Sequence, residues 1–283
     1  MNTFDHFISY NTRIGPSNFL NHMKVSGISR KILDLYENKN VLTKIPPELK
    51  VRGIEEAYAV QNNLYSMLTS KGYGEIKGWK AALTSKTMQN LIGCTQPCFA
   101  GIFSKNIYKS NSKIFEKNYV NLGVETEIAI KIKNDIPLQS KPHTMDSVLK
   151  SISSFMPALE IIDDRKVDYT SLDLPTLIAL NTFNSGIVIG RESIIKDFNN
   201  LKDIYFKLIV NSEIVDKGNS KDVLGGPINS LVWLANELNK KGYYIKAGDI
   251  IMTGSPIKSF FIKKGDKVKS VIDRLGSVNL NII

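Results

Sequence analysis

Between Ser17 and Asn38 apolar side chains fall near helical spacing (Phe19, Met23, Ile28, Ile32, Leu33, Leu35), which predicts a helix, either continuous or split into two pieces at Gly27. Ile54 to Lys71 repeats the pattern with Ala57, Val60, Leu64, Tyr65 and Leu68, and Gly72 supplies its stop. Between them the Ile45-Pro46-Pro47 segment forces an extended connection. From Glu75 onward short β-type runs take over: Ile76–Ala81, Val124–Ile132, Thr182–Ile189, Phe206–Val210, Ile214–Val215, Ile250–Thr253, Lys267–Ile272 and Val278–Ile282. Asn211-Ser212 sits where a tight hairpin turns. Two helices interrupt these runs. One spans Met145 to Ser154 ahead of Pro157; the other opens at Pro227, places Leu231, Leu234, Ala235 and Leu238 on one face, and ends at Gly242. Helices first and many short strands afterwards predict an α+β fold with a closed or strongly rolled mixed sheet. The expected division is a helical N-terminal region over residues 1–74 that packs on a β-rich core over 75–283.

Composition narrows the class. Across 283 residues, 42% hydrophobic and 23% charged side chains are the balance of a globular protein with a sizeable core. No apolar run approaches a membrane span, so no membrane partner is expected. Met1 to Arg13 mixes Asp5, His6, Asn11 and Arg13 with single apolar residues, unlike a secretory signal, which makes a cytoplasmic protein the expectation. Cys94 and Cys98 fit that compartment, and their C-x₃-C spacing, with His6, His22 and His143 far away, supplies no zinc ligand set. The net charge of +10 raises nucleic acid as a partner. The lysines nevertheless come singly or in pairs (Lys240–Lys241, Lys263–Lys264), without a basic run, so nucleic-acid binding is not expected.

The chemistry-bearing residues stand out against this background. In Val124-Glu125-Thr126-Glu127-Ile128-Ala129-Ile130 strand alternation puts Glu125 and Glu127 on one face. Two neighbouring carboxylates repel; either water screens them on an outer face or a cation lies between them. Hard oxygen ligands select Mg²⁺, Mn²⁺ or Ca²⁺. Glu160 lies inside the apolar Pro157-Ala158-Leu159-Glu160-Ile161-Ile162-Asp163, where an unpaired carboxylate is expensive. A salt bridge to Arg165 would satisfy it; a metal shared with Glu125 and Glu127 would account for all three. Lys80, between Trp79 and alanines, is either an ordinary snorkelling lysine or a desolvated one that binds an oxyanion or titrates near neutrality.

Several segments, in order, resemble the 2-keto-4-pentenoate hydratase / 4-oxalocrotonate decarboxylase branch of the fumarylacetoacetate hydrolase-like superfamily. They are Glu56 to Gln61, Gly78-Trp79-Lys80 with Leu83 to Lys86, Val124 to Ala129, Pro157 to Asp163, Val232 to Asn236, Lys246 to Ser255, Gly265-Asp266 and Leu275 to Val278. The resemblance runs from about Pro47 to the C-terminus. It implies a Mg²⁺ or Mn²⁺ ion on the glutamates matching Glu125, Glu127 and Glu160, and a short 2-oxo or 2-hydroxydienoic acid as small-molecule partner. It also implies a catalytic role for Lys80, with Lys80, Leu83 and Ser255 as substrate contacts, although the Ser255 hydroxyl could equally cap a turn. Self-association as a homo-oligomer follows by the same analogy.

The chain also departs from that pattern. Gly93-Cys94-Thr95-Gln96-Pro97-Cys98-Phe99-Ala100 stands where the family has Gly-Val-Asp-x-Pro-Asp-aromatic-Gly, so both acidic positions are lost, to Thr95 and Cys98. Thr95 becomes a candidate catalytic residue that can position water without acting as its base. Leu180 replaces an acidic residue before Asn181, and Ala82 stands where glycine is common. Three readings follow: a metal-dependent hydratase, a 2-oxo acid decarboxylase or C–C lyase, and a catalytically reduced binding protein, for which Met1 to about Leu42 would be a docking segment.

Overall fold

The computed structural model describes residues 16–195 and 197–283; the readings that rest on Met1 to Arg13, His6 among them, lie outside these residues. Helix α1 (Pro16–Glu37) runs unbroken through Gly27, so the continuous alternative holds. Gly27 is exposed with nothing near it, while Ile28, Ile32 and Leu35 are buried and hold the helix to the core. Helix α2 (Ile54–Leu68) buries Ala57, Val60, Leu64 and Leu68 as its spacing predicts, and Gly72, at φ 90°, ends the wide turn that follows it. A fully buried Leu64 contributes roughly 1.5–3 kcal/mol to this docking.

The remaining elements are, in chain order, β1 (Ile76–Ala82), α3 (Lys86–Ile92), β2 (Cys98–Phe103), β3 (Ile107–Lys109), β4 (Ser112–Ile114), β5 (Leu122–Ile132), α4 (Met145–Leu149), β6 (Ile152–Asp163), α5 (Leu174–Ala179), β7 (Asn184–Ile189), β8 (Tyr205–Val210), β9 (Glu213–Asn219), α6 (Pro227–Lys240), β10 (Ile250–Met252), β11 (Phe260–Phe261), β12 (Lys267–Ile272) and β13 (Gly276–Ile282). Among the described residues the strands form two sheets. The first runs β2-β1-β10-β5-β6-β7-β3 with β11 paired to β5; the second runs β4-β13-β12-β8-β9. The first is mixed, since β1 pairs β10 and β3 pairs β7 in parallel while the other pairings are antiparallel. Ile102 on β2 and Ile187 on β7, five strands apart, meet in one apolar cluster with Ala129, Met156 and Met252, so the sheet rolls around that cluster. The α+β fold with a helical N-terminal part and a rolled mixed sheet is therefore present.

Strand alternation divides the two faces of the roll. Val124, Leu159, Ile161 and Val188 face outward and pack on Leu208, Val268, Val278 and Leu280 of the second sheet. Glu125, Glu127 and Glu160 alternate with these residues and turn to the interior. The second sheet thus buries the outer side of β5 and β6 and leaves their inner side to carry polar groups.

Two expectations fail at β6 and β7. The helix expected over Met145 to Ser154 stops at Leu149, and residues 152–154 already belong to β6, which continues through Pro157. The Pro157 carbonyl accepts from Gly190, just beyond the end of β7, so the proline's missing N–H falls where that ladder stops. The strand expected from Thr182 begins at Asn184, because Asn181, Thr182 and Phe183 all take left-handed backbone angles. The Asn211-Ser212 hairpin forms as expected, with both residues at positive φ. No described helix is long and apolar enough to cross a membrane.

Candidate metal centre and its cavity

Ladder register assembles the carboxylates. Glu125 on β5 is directly opposite Glu160 on β6, and Glu127 lies two residues along on the same face. One oxygen from each lies within 4.8 Å of the others. Oxygens bound to one small divalent cation at about 2.0–2.6 Å lie at most about 5 Å apart, so the set closes on such an ion with little movement.

Two of the carboxylates are away from solvent, Glu127 at 1% exposed and Glu160 fully buried, while Glu125 is half-buried. Lys80 arrives from two strands away, opposite Met252 of β10, which itself pairs Ala129 of β5. Its Nζ donates to Glu160 Oε1 at 2.5 Å, with the lysine side chain 4% exposed. Glu160 therefore pairs with Lys80, whereas Arg165 lies beside Asp163 at 3.6 Å. Asn184 Nδ2 also donates to Glu160 Oε1 at 2.9 Å, the Gly254 N–H donates to Glu127 Oε2 at 2.8 Å, and the Ser259 hydroxyl donates to Glu125 Oε1. Glu127 Oε1 and Glu160 Oε2 remain buried without a protein partner. Three carboxylates against one ammonium leave two formal negative charges, and the two orphaned oxygens face the same cost of desolvation. A hard divalent cation satisfies both requirements, so the residues fit the expected ion.

Electrostatics here are set by burial. Burial pushes Glu127 well above the ordinary carboxylate value, with Glu160 and Glu125 adding repulsion that Lys80 and the Gly254 N–H only partly offset. Glu125 is raised by burial and by Glu160, against Lys80 and Ser259. For Lys80, burial favours the neutral amine, yet Glu160, Glu125 and Glu127 together outweigh it and hold the pKa above 10.5.

A cavity of about 60 Å³ opens beside this cluster. Lys80, Leu83, Glu125 and Ser255 all line it, together with Thr84, Tyr169 and Thr182 and an apolar wall that includes Met88, Ile92 and Leu177. Ser255 caps a turn at the cavity wall: its hydroxyl donates to the Ile257 carbonyl at 2.9 Å and accepts from the Ile257 N–H. Thr95 is exposed on the loop between α3 and β2 and is not among the lining residues. Cys98 opens β2 opposite Ala82, fully buried, and burial pushes its thiol up to about 12. Neither cysteine is in a disulfide.

Sequence reasoning did not pick out Asn184, Ser259, Gly254 as a donor, or Thr182. Ser259 and Gly254 act through contacts that cross more than a hundred residues of chain, which local pattern cannot reveal. Asn184 lay hidden in a run read as strand.

A family profile described as fumarylacetoacetate (FAA) hydrolase C-terminal matches residues 103–283. The chain belongs to that family. Among its relatives is a 2-keto-4-pentenoate hydratase of Burkholderia vietnamiensis, 28% identical over 222 residues, which are 78% of this chain and 83% of the relative. A 2-oxo-hept-4-ene-1,7-dioate hydratase of Escherichia coli is 29% identical over 238 residues, 81% of this chain and 87% of the relative. In fold, the chain is similar to 4-oxalocrotonate decarboxylase from Pseudomonas putida G7, solved with magnesium and adipate. The TM-score is 0.83 at 23% identity, covering 92% of this chain and 98% of the other.

Proposed function

We propose that this protein is a divalent-metal-dependent lyase, a hydratase acting on a short 2-hydroxydienoic or 2-oxo acid. The observation that carries this reading is the buried cluster of three glutamates with two unpartnered oxygens beside Lys80, at the wall of a cavity. Hydratase relatives at 28% and 29% identity over about four-fifths of the chain support the choice of reaction.

In this reading Glu125, Glu127 and Glu160 hold Mg²⁺ or Mn²⁺. When bound, the ion would supply Lewis-acid chemistry suited to a 2-oxo acid. Lys80 stands at the cavity wall, where its amine is the group of this chain placed to contact an oxyanion or pass a proton to a dienol carbon. Asn184 and the Gly254 N–H fix the carboxylates of Glu160 and Glu127, so those groups need no reorganisation during turnover. Met88, Ile92, Leu177 and Phe183 take the hydrocarbon part of the substrate and exclude bulk water. The reading extends to a cytoplasmic, self-associating enzyme, supported by the family resemblance and the free thiols.

One observation favours a second reading, a 2-oxo acid decarboxylase or C–C lyase. With Thr95 exposed, Glu125 is the carboxylate among the cavity-lining residues and no histidine joins it. Decarboxylation needs no base to activate water.

The test is a thermal-shift titration with Mg²⁺ and Mn²⁺, followed by turnover of 2-hydroxypenta-2,4-dienoate with and without chelator. The expected outcome is a metal-dependent rise in Tm, absent in Glu125→Gln and Glu127→Gln, and hydration that chelator abolishes. Carbon dioxide release from a 2-oxo diacid without hydration selects the second reading. Metal binding with neither activity selects the catalytically reduced protein. A metal shift that persists in both glutamine variants overturns the site itself.

A further inference from the structure

Asn181, Thr182 and Phe183 form three consecutive left-handed residues, at φ 48°, 50° and 58°. None is glycine, and Thr182 is β-branched, the class of side chain that tolerates this region least. Left to itself the chain would not adopt such a turn; its neighbours impose it. Asn181 Oδ1 accepts from the Tyr65 hydroxyl at 2.9 Å and from the Gly101 N–H at 3.1 Å, and Asn181 Nδ2 donates to the Gly101 carbonyl at 3.0 Å. The Tyr36 hydroxyl donates to the Leu180 carbonyl at 2.5 Å. The turn is therefore tied to α1, α2 and β2 at once.

The tethering puts Thr182 in an unusual position. It is 6% exposed, it lines the cavity with Lys80 and Glu125, and its Oγ1 is buried with no partner in the protein. Backbone strain and an unsatisfied buried hydroxyl both work against folding, and they occur at the same residue. A ligand oxygen in the cavity accounts for both: the turn delivers the hydroxyl, and the hydroxyl finds its partner only when the cavity is filled.

We propose that Thr182 is a substrate-binding residue whose hydroxyl donates to an oxygen of a small 2-oxo acid held beside Lys80 and Glu125. This rests on the lyase reading above and names a contact within it. Asn181 and Tyr65 are then positioning residues, acting through the turn.

Three variants test the contact in the Mn²⁺-loaded protein, with oxalate as an unreactive 2-oxo acid mimic and calorimetry as the readout. Thr182→Val keeps shape, β-branching and strain but removes the hydroxyl; oxalate affinity falls about tenfold or more, as for a lost hydrogen bond to a charged group. Thr182→Ser restores most of that affinity. Thr182→Gly loses affinity like the valine variant yet melts at a higher temperature than wild type, because glycine relieves the left-handed strain. A purely structural threonine would instead lower stability and affinity together. The Mn²⁺-induced rise in Tm is the same in all three variants. Unchanged oxalate affinity in Thr182→Val overturns the proposal while leaving the lyase reading standing. Failure of the wild-type, metal-loaded protein to bind oxalate overturns both. A fall in Tm for Thr182→Gly overturns the claim that the turn is strained.

Discussion

Gly254 carries two duties at one residue. Its N–H donates to Glu127 Oε2 at 2.8 Å, and its backbone sits at φ 102°. A Cβ there would meet Thr84 Oγ1 at 2.2 Å and Thr84 Cβ at 2.9 Å, so the neighbouring threonine would have to move. Gly254→Ala is therefore expected to destabilise the fold by about 1–3 kcal/mol, through strain and overpacking. By displacing the amide from Glu127 it should also shrink the Mn²⁺-induced shift in Tm. Denaturant unfolding with and without Mn²⁺ measures both; wild-type values in each would mean that the turn tolerates a side chain. At this scale much was legible in the sequence. The alternation around Glu125 and Glu127, the isolated Glu160 in an apolar run and the Gly-Trp-Lys segment all mark residues that the fold brings together. What could not be read was pairing register, which decides that Glu160 meets Glu125 and Lys80 rather than Arg165. Thr95, singled out by resemblance to a family motif, shows the converse: a motif position does not say which way a loop presents it.

Among the elements, α2 does more than cover the sheet. Gln61 Nε2 donates to the Phe99 carbonyl of β2 at 3.1 Å and to the Ile178 carbonyl of α5 at 2.9 Å. One turn further on, the Tyr65 hydroxyl accepts from the Gly101 N–H at 2.6 Å while donating to Asn181. The helix thereby couples β2 to the segment that leads into the cavity. Tyr65→Phe removes a buried hydroxyl from two partners at once and should lower stability by about 1–3 kcal/mol. It should also weaken oxalate binding by the metal-loaded protein, because the turn carrying Thr182 loses one tether. A variant that loses stability but binds oxalate as wild type does would confine Tyr65 to a packing role. The helical face of α2 is plain from spacing, whereas its hydrogen bonds to two distant elements are not. The strands differ in legibility for the same reason. β12 and β13 alternate apolar and polar residues and were found almost to the residue. β6 is buried on both faces, so it shows no alternation, and its proline pointed away from a central strand.

Over the whole molecule, a part of the net charge of +10 gathers in one place. A groove of about 700 Å³ lies next to the cavity and shares Met88 and Ile257 with it. Four exposed lysines, Lys86, Lys217, Lys221 and Lys258, line it against two aspartates, Asp216 and Asp222. These lysines are scattered in sequence, which is why the chain shows no basic run, yet β9, the turn after it, α3 and the loop after β10 bring them to one place. A positive groove beside a buried site raises the local concentration of an anion, and salt screens the effect over a Debye length of about 10 Å at 0.1 M. For a small organic acid, kcat/KM is therefore expected to fall about three- to tenfold between low salt and about 0.5 M, with kcat nearly constant. The lysines carry the effect only if their removal erases it. Lys217→Glu with Lys221→Glu should lower kcat/KM at low salt and flatten its dependence on salt, while Tm stays within about a degree because both side chains are exposed. A neutral solute that fits the cavity should bind the two proteins equally. If the doubly substituted protein keeps the wild-type salt slope, the groove is a solvated surface and the anion reaches the carboxylate cluster by another route.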